Sequence, residues 1–175
     1  MLLTNQQMFI LEALEALGGA RMDQLASLLR PVFCERKPDI AERVTDTAIR
    51  QMLLCNLELY QENDLIYLPG RRPTPSLVEA VDVMLELSAG TLLSYHPGRA
   101  PLLLRFTVQG QKVRMFCVTT QGADLLGIEL NRKERIIQLF DGQSQIRALP
   151  VPNKQFCAVQ QSDGTHRFFA VNGQN

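Results

Sequence analysis

The residues best suited to chemistry lie in one short segment, TDTAIRQMLLCN, residues 45–56. Its apolar residues recur at helical spacing, so the segment is predicted to be a helix with one face turned toward a core. Thr47, Arg50 and Gln51 then point outward. Arginine and glutamine side chains form paired hydrogen bonds with the edges of guanine and adenine, respectively. This pattern predicts a DNA recognition helix.

Two pairs of residues extend this prediction. The hydroxyl groups of Thr45 and Thr47 would meet phosphates at the start of such a helix. Arg71 and Arg72 follow a predicted hairpin and would reach the DNA backbone or the minor groove. We therefore expect double-stranded DNA as a partner. The predicted DNA-binding residues are Thr45, Thr47, Arg50, Gln51, Arg71 and Arg72.

Two other features favour contact with protein. Leu54 lies on the outward face of the same helix, where a large apolar side chain suits a protein partner better than a base edge. The first 72 residues hold eight Lys and Arg against ten Asp and Glu, a net charge of −2. Domains that bind DNA strongly gather positive charge on one face. A protein partner, or a second copy of this chain, is therefore the alternative.

Groups that catalyse reactions or bind metals are scattered. The four cysteines show no CxxC spacing, and only two histidines, His96 and His166, are present. We interpret His96 as a turn residue and His166 as a surface residue, because neither has an identifiable nucleophile and acidic partner. We expect no enzyme activity, no metal and no cofactor. The cysteines have apolar neighbours and are expected to be buried thiols: Cys34, Cys55, Cys117 and Cys157.

One acidic residue, Asp141, follows the predicted strand RIIQLF. Loops at this position bind ligands in many open α/β sheets, so Asp141 is a candidate contact for a small molecule. An Asp-Gly pair also ends strands and caps helices. We favour the capping role.

Composition narrows the class of protein further. The 175 residues are 46% hydrophobic, with 18 basic and 18 acidic side chains. These values are typical of a folded globular protein rather than a disordered one. No run of about 20 apolar residues occurs, and the first residues lack the pattern of a signal peptide. We expect a cytoplasmic protein that makes no membrane contact.

Local signals predict three helices and a hairpin in residues 1–70. Thr4 caps the first helix, which ends at Gly18. The second is predicted to start near Asp23, with Asp23 as its cap, and to end before Pro31. The third begins as early as Pro38 and ends at Asn56, and a hairpin turns at Asn63 and Asp64. This order of elements predicts a winged helix-turn-helix domain.

The segment LPGRRPTPS separates this domain from a second one, residues 71–175. Thr74 and Pro75 open a helix, which is followed by strands in TLLSY, LLLRFTV and KVRMFCV. A helix is predicted in GADLLGIEL, a strand in RIIQLF, a short helix in QSQIRAL and a final hairpin around Ser162-Asp163-Gly164. The fold class is therefore α+β, with a mixed α/β sheet domain after the winged helix.

Three segments, LTNQQMFILEAL, GGARMDQLASLL and AIRQMLLCNLEL, together resemble the replication-relaxation family of winged-helix proteins from mobile genetic elements. The first is similar to the opening helix of that family, which has the form LTxxQxxIL. The second and third are similar to its next two helices. The resemblance covers about the first third of the chain and implies association with DNA.

Residues 71–175 resemble the second domain of that family more loosely. That domain has a restriction-endonuclease-like core with the order α-β-β-β-α-β. Nuclease activity on such a core requires acidic residues on the second and third strands to hold Mg²⁺. The corresponding strands, PLLLRFTVQG and QKVRMFCVTT, contain no Asp or Glu. The resemblance therefore implies a degenerate domain without nuclease chemistry.

Three functions follow, in decreasing order of support. The first is a non-enzymatic DNA-associated accessory or regulatory protein, of the kind that mobile elements encode. The second is a protein-interaction or dimerisation module that uses a winged-helix skeleton. The third, a degenerate nuclease-like enzyme, ranks well below the others because its acidic residues are missing.

Overall fold

The structure, a computed structural model, describes residues 2–34, 37–55, 58–142 and 147–171. These residues form four helices, a three-stranded sheet and a mixed six-stranded sheet, which confirms the predicted α+β class. The chain divides into two compact units, Met1–Val78 and Glu79–Asn175.

Three helices make up most of the first unit: α1 (Asn5–Leu17), α2 (Met22–Phe33) and α3 (Pro38–Leu54). Thr4 caps α1, and its hydroxyl oxygen accepts the backbone N–H of Gln7 at 3.2 Å. Gly18 ends α1 with a φ of 75°, a left-handed conformation that glycine adopts without strain. Pro38 is the first residue of α3. The predictions for the two ends of α1 and the start of α3 are confirmed.

Two predictions about α2 are wrong. Arg21 holds the capping position, where its backbone N–H donates to the side-chain oxygen of Gln24 at 2.9 Å. Asp23 lies inside the first turn, where its negative charge suits the helix dipole. The helix also continues through Pro31 to Phe33, although the proline removes one backbone N–H donor from the helix.

A small antiparallel sheet completes the first unit. It contains β1 (Gly19–Arg21), β2 (Tyr60–Glu62) and β3 (Leu65–Tyr67), with β3 in the centre. The hairpin between β2 and β3 turns at Asn63, which has a φ of 55°, as predicted. The sequence pattern does not predict β1, because Gly18 and Gly19 indicate only the end of a helix.

The helix α4 (Pro75–Ser88) crosses the division between the two units, and six strands follow it. They are β4 (Leu92–Pro97), β5 (Leu102–Val108), β6 (Arg114–Thr120), β7 (Glu134–Phe140), β8 (Gln155–Gln160) and β9 (His166–Val171). The strands lie in chain order across the sheet. The pairs β6–β7 and β7–β8 are parallel, and the other three pairs are antiparallel. The predicted start of α4, all six strands and the last hairpin are confirmed.

The centre of this sheet is buried on both faces, as expected for parallel strands. On one face, Cys117 and Ile136 pack in a cluster with Leu125. Phe106 and Phe116 stack on neighbouring strands, with ring centroids 5.1 Å apart. The core of the second unit is therefore built around β5, β6 and β7.

The helix predicted in GADLLGIEL does not form, although residues 121–133 are all described. Gly122 and Gly127 have φ angles of 67° and 77°, which an α-helix does not accommodate. Leu125 and Ile128 pack against the sheet without helical structure. The predicted order α-β-β-β-α-β is therefore not observed. The predicted helix QSQIRAL lies partly outside the described residues, and residues 147–149 are not helical.

Candidate nucleic-acid interface

The outward face of α3 carries three of the six predicted DNA contacts. Thr47, Arg50 and Gln51 are exposed, as is Arg43 one turn earlier. Residues three and four positions apart are neighbours on a helix, so these side chains form one polar row. The opposite face of α3 lies in the core through Ala41, Thr45, Ala48, Ile49 and Met52.

Arg50 has a partner on the same helix. Its Nε atom lies 3.0 Å from Oδ1 of Asp46, one turn earlier. The side chain of Arg50 is 74% exposed, and exposed ion pairs contribute only about 0–1 kcal/mol to stability. Arg50 can therefore exchange Asp46 for a phosphate or a base edge at a low energetic cost.

Thr45 does not lie where the sequence predicts. It is fully buried, and its hydroxyl donates to the carbonyl oxygen of Ala41 at 2.8 Å. Because α3 begins at Pro38, Thr45 lies in the middle of the helix on its core face rather than at its start. A phosphate cannot reach this hydroxyl, and Thr45 leaves the set of candidate DNA contacts.

The variant Thr45→Val is expected to leave DNA affinity unchanged and to alter the free energy of unfolding by at most about 1 kcal/mol. Valine matches the shape of threonine, and the Ala41 carbonyl keeps its backbone bond within the helix. Gel-shift titration and urea unfolding would measure the two quantities. The matched variant Thr47→Val removes an exposed hydroxyl and is expected to weaken DNA binding. Equal loss of affinity in both variants would contradict this assignment.

Gln51 is held by a chain of hydrogen bonds that starts on α1. The backbone N–H of Thr4 donates to Oε1 of Gln7 at 2.9 Å. The Nε2 group of Gln7 donates to Oε1 of Gln51 at 3.3 Å. Gln7 is buried, and the core pattern of the sequence does not include it. The signal that could have found it is the spacing of Thr4 and Gln7, which is that of a capping box.

An open groove of about 500 Å³ lies between the start of α1 and α3. Its apolar lining comes from Ile40, Val44 and Ala48, and its polar lining includes Thr47 and Gln51. Two of the predicted DNA contacts therefore line a concave surface rather than a flat one. The other lining residues are Thr4, Gln6 and Arg43.

Arg71 and Arg72 are exposed beside the β2–β3 hairpin. Arg72 forms an ion pair with Glu62 at 2.6 Å, and the hydroxyl of Tyr67 donates to the same carboxylate at 2.8 Å. This hydrogen bond raises the pKa of Tyr67 above its usual value. Arg71 donates to the backbone carbonyl of Glu15 at 3.0 Å. Both arginines are accessible, and each already has a partner within the first unit.

The C-terminal end of α3 is apolar. Leu54 is 83% exposed, on the outward face as predicted. Cys55 is also exposed, so its predicted burial is wrong. The helix ends at Leu54, and Cys55 caps it outside the buried row. Asn56, predicted to end the helix, lies outside the described residues.

His166 is buried rather than on the surface, which corrects its predicted position. Its side chain has no exposed area, and its Nδ1 atom lies 2.8 Å from Oε1 of Glu86. Its Nε2 atom lies 3.5 Å from Oε1 of Glu79. Burial lowers the pKa of His166, but the two carboxylates outweigh burial and raise the pKa above its usual value. This cluster joins β9 to α4.

A second ion pair, in which Glu134 is buried and Arg105 is half-buried, lies beside the irregular residues 121–133. Glu134 is buried, with its Oε1 atom 3.7 Å from Nε of Arg105. Arg105 also donates to the carbonyl oxygen of Glu129 at 2.6 Å. Burial, assisted by the charge of Glu134, raises the pKa of the nearby Cys117 thiol to about 12. This thiol therefore stays protonated near neutral pH, so it is a poor nucleophile.

His96 and Asp141 are both exposed. His96 lies in β4, where its backbone is aligned with that of Arg105, rather than in a turn as predicted. Asp141 directly follows β7. The helix that Asp141 is predicted to cap lies largely outside the described residues, so its capping role stays a prediction.

Three further properties concern metals, thiols and membranes. Within the described ranges, no group of three or more His, Cys, Asp or Glu side chains could hold a metal ion.

The four cysteines are free thiols, and Cys34, Cys117 and Cys157 are buried as predicted. None of the helices in the described part of the chain has the length and apolar character needed to cross a membrane.

No protein-family model, curated protein or solved structure matches the chain. The likeness to replication-relaxation proteins therefore stays a prediction from three sequence segments.

Proposed function

We propose that this protein is a non-enzymatic DNA-associated accessory or regulatory protein, and that α3 contacts double-stranded DNA. The observation that carries the proposal is the exposed row of Arg43, Thr47, Arg50 and Gln51 on one helix. Arginine and glutamine are the side chains that read guanine and adenine, and threonine bonds phosphates or bases. The link to mobile genetic elements rests on the sequence resemblance alone.

We further propose that residues 1–70 are a winged helix-turn-helix domain. The support is the order α1, β1, α2, α3, β2, β3, in which three helices are followed by a hairpin. In helix-turn-helix proteins the second helix of the motif enters the major groove, and α3 has that role in this proposal. Arg71 and Arg72 follow β3 and would then lie near the DNA backbone or the minor groove.

Charge determines how strongly such a surface would bind. The net charge of −2 over the first 72 residues provides no long-range attraction to phosphate. Binding must therefore come from local contacts, for which Arg50 and Arg72 exchange their present carboxylate partners for phosphates. We expect modest affinity for the monomer and a clear dependence on salt concentration.

Gel-shift titration of the full chain against duplex DNA at two salt concentrations tests the proposal. The logarithm of the binding constant is expected to fall with the logarithm of salt concentration, by about 0.9 for each phosphate neutralised. Arg50→Ala and the double variant Arg71→Ala/Arg72→Ala should each weaken binding. Each should also reduce the slope by about 1 for every phosphate contact that is lost.

Matched controls come from the acidic partners. Asp46→Asn and Glu62→Gln each remove a carboxylate and keep the arginine, so they should strengthen DNA binding. Absence of duplex binding by the wild-type chain at low salt would overturn the proposal. If the alanine variants fold normally and bind as tightly as wild type, α3 and the hairpin are not the interface.

A second candidate function is a protein-interaction or dimerisation module. It is favoured by the exposed Leu54 and by the apolar lining that Ile40, Val44 and Ala48 give to the groove. Light scattering would measure the oligomeric state. A tight dimer together with no DNA binding at low salt would favour this function. Leu54→Glu should then shift the dimer toward monomer.

A further inference from the structure

The hydrogen-bonded chain from Thr4 through Gln7 to Gln51 fixes the direction of the Gln51 amide. The backbone N–H of Thr4 is only a donor, so the atom of Gln7 that meets it must be the carbonyl oxygen Oε1. The Nε2 group of Gln7, also a donor only, then faces Gln51 and requires its carbonyl oxygen. The oxygen and nitrogen of the Gln51 amide therefore cannot exchange places without breaking this chain.

Gln7 is a rigid support for that contact. It is 2% exposed. Its backbone N–H donates to the hydroxyl of Thr4, while its side chain accepts the backbone N–H of Thr4 in return. A buried side chain held in this capping box loses its conformational freedom during folding rather than on binding. The exposed Gln51 is thus oriented before any ligand arrives.

We propose that Gln51 reads adenine in the major groove and that Gln7 is the positioning residue behind this preference. This inference rests on the proposed function and names the base that the site selects. A carbonyl oxygen has two lone pairs, so Oε1 of Gln51 can accept from Gln7 and still accept from a base. Adenine presents a donor at N6 beside an acceptor at N7, which is the pair that a glutamine amide matches.

The orientation of the Gln51 amide matters for base recognition, because an unrestrained glutamine amide can rotate by about 180° and exchange its oxygen and nitrogen. In the reversed orientation, the donor and the acceptor change places and the match to adenine is lost. The fixed orientation also disfavours guanine, since its O6 and N7 atoms are both acceptors and one of them would face the carbonyl oxygen. The expected discrimination is roughly tenfold or more at one base position.

Selection from a randomised duplex library, with the full chain as the binding protein, tests this proposal. The wild-type chain should select a motif in which adenine is preferred at one base position. Gln51→Glu should change that position to cytosine, because a carboxylate accepts from the N4 amine of cytosine. Gln7→Met should weaken the preference for adenine at that position, while affinity for non-specific duplex stays within about twofold of wild type.

Gln24→Met is the matched control, because Gln24 occupies the same capping position on α2 and also accepts a backbone N–H through its side chain. It should reduce stability without altering base preference. If Gln7 is merely structural, Gln7→Met will behave in the same way, and its role as a positioning residue is wrong.

The remaining outcomes separate this inference from the proposed function. If the wild type selects a motif that Gln51→Glu does not alter, adenine reading by Gln51 is wrong while DNA binding stands. If Gln7→Met does not fold, the Gln51→Glu variant still tests whether Gln51 reads adenine, because it leaves Gln7 in place. Failure of the wild type to bind any duplex overturns both proposals.

Discussion

His166→Gln is expected to lower the free energy of unfolding of the second unit by about 2 kcal/mol near pH 6. A hydrogen bond to a charged group contributes about 1.5–3 kcal/mol. The imidazole makes one such bond, to Glu86, and its other nitrogen lies 3.5 Å from the carboxylate of Glu79. The carboxylates are 27% and 29% exposed, so solvent screens part of this energy. Glutamine carries no charge and cannot hold both carboxylates. Urea unfolding followed by circular dichroism would measure the change.

The difference in stability between wild type and His166→Gln is expected to depend on pH in a definite direction. Although burial lowers the pKa of His166, Glu79 and Glu86 raise it above the ordinary value of 6.5. The protonated form is therefore favoured in the folded state. Its stabilising effect is fully present below pH 6.5 and is lost as the pH rises through the folded-state pKa. The difference in stability between wild type and His166→Gln should shrink as the pH is raised above 6.5.

The other histidine provides the control. His96 is exposed, so His96→Gln should change the free energy of unfolding by less than about 0.5 kcal/mol. Hydrogen exchange should show lost protection in β9 of the His166→Gln variant, because the backbone N–H of His166 also donates to Glu86. A stability difference that does not vary with pH would contradict the charge pair.

Gly19→Ala is expected to destabilise the first unit by about 3 kcal/mol, near the upper end for overpacking a filled site. A Cβ atom at this position would lie 2.7 Å from both Cδ of Pro73 and Cβ of Tyr67. It would also lie 2.9 Å from the carbonyl oxygen of Ile66. None of these atoms is the end of a flexible side chain, so β1 itself must move. A three-residue strand that moves loses its pairing with β3.

Gly110→Ala is the matched control, because a Cβ atom there would meet the flexible side chain of Arg114 at 3.4 Å. Its stability should remain within about 1 kcal/mol of wild type. Urea unfolding of both variants by circular dichroism gives the comparison. If Gly19→Ala is as stable as wild type, β1 does not pack against β3 and Pro73 as described.

The candidate site was predictable from the sequence where helical periodicity alone decides exposure. Ile49 and Met52 set the buried face of α3, so the exposure of Thr47, Arg50 and Gln51 follows from their spacing. The ion pair of Arg50 lies within one helix turn and is also a local feature. The contact of Gln7 with Gln51 could not be predicted from the sequence, because it joins residues 44 positions apart.

Thr45 shows how the position of a residue along a helix changes a functional assignment. A hydroxyl at the start of a helix faces solvent and can bond phosphate, but one in the middle faces whichever side its position dictates. With α3 starting at Pro38, Thr45 falls on the same face as Ala41 and Ala48. A single buried hydrogen bond within the helix then replaces the predicted contact with DNA.

Features that depend on neighbouring residues could be predicted from the sequence. These are the cap at Thr4, the helix starts at Pro38 and Pro75, and the turns at Asn63 and residues 162–164. Capping hydrogen bonds, the fixed φ of proline and left-handed turn conformations act within about four residues. The sequence pattern is therefore sufficient to locate most helices and hairpins.

Features whose partners are distant in the chain depend on tertiary contacts. The strand β1 exists because residues 65–67 offer it an edge, not because Gly-Ala-Arg favours extended structure. The apolar residues of the irregular segment 121–133 cover the sheet, whereas their spacing predicts a helix. His166 is buried because two carboxylates on α4, Glu79 and Glu86, compensate its charge. In each case the partner that stabilises the arrangement lies outside any local window of sequence.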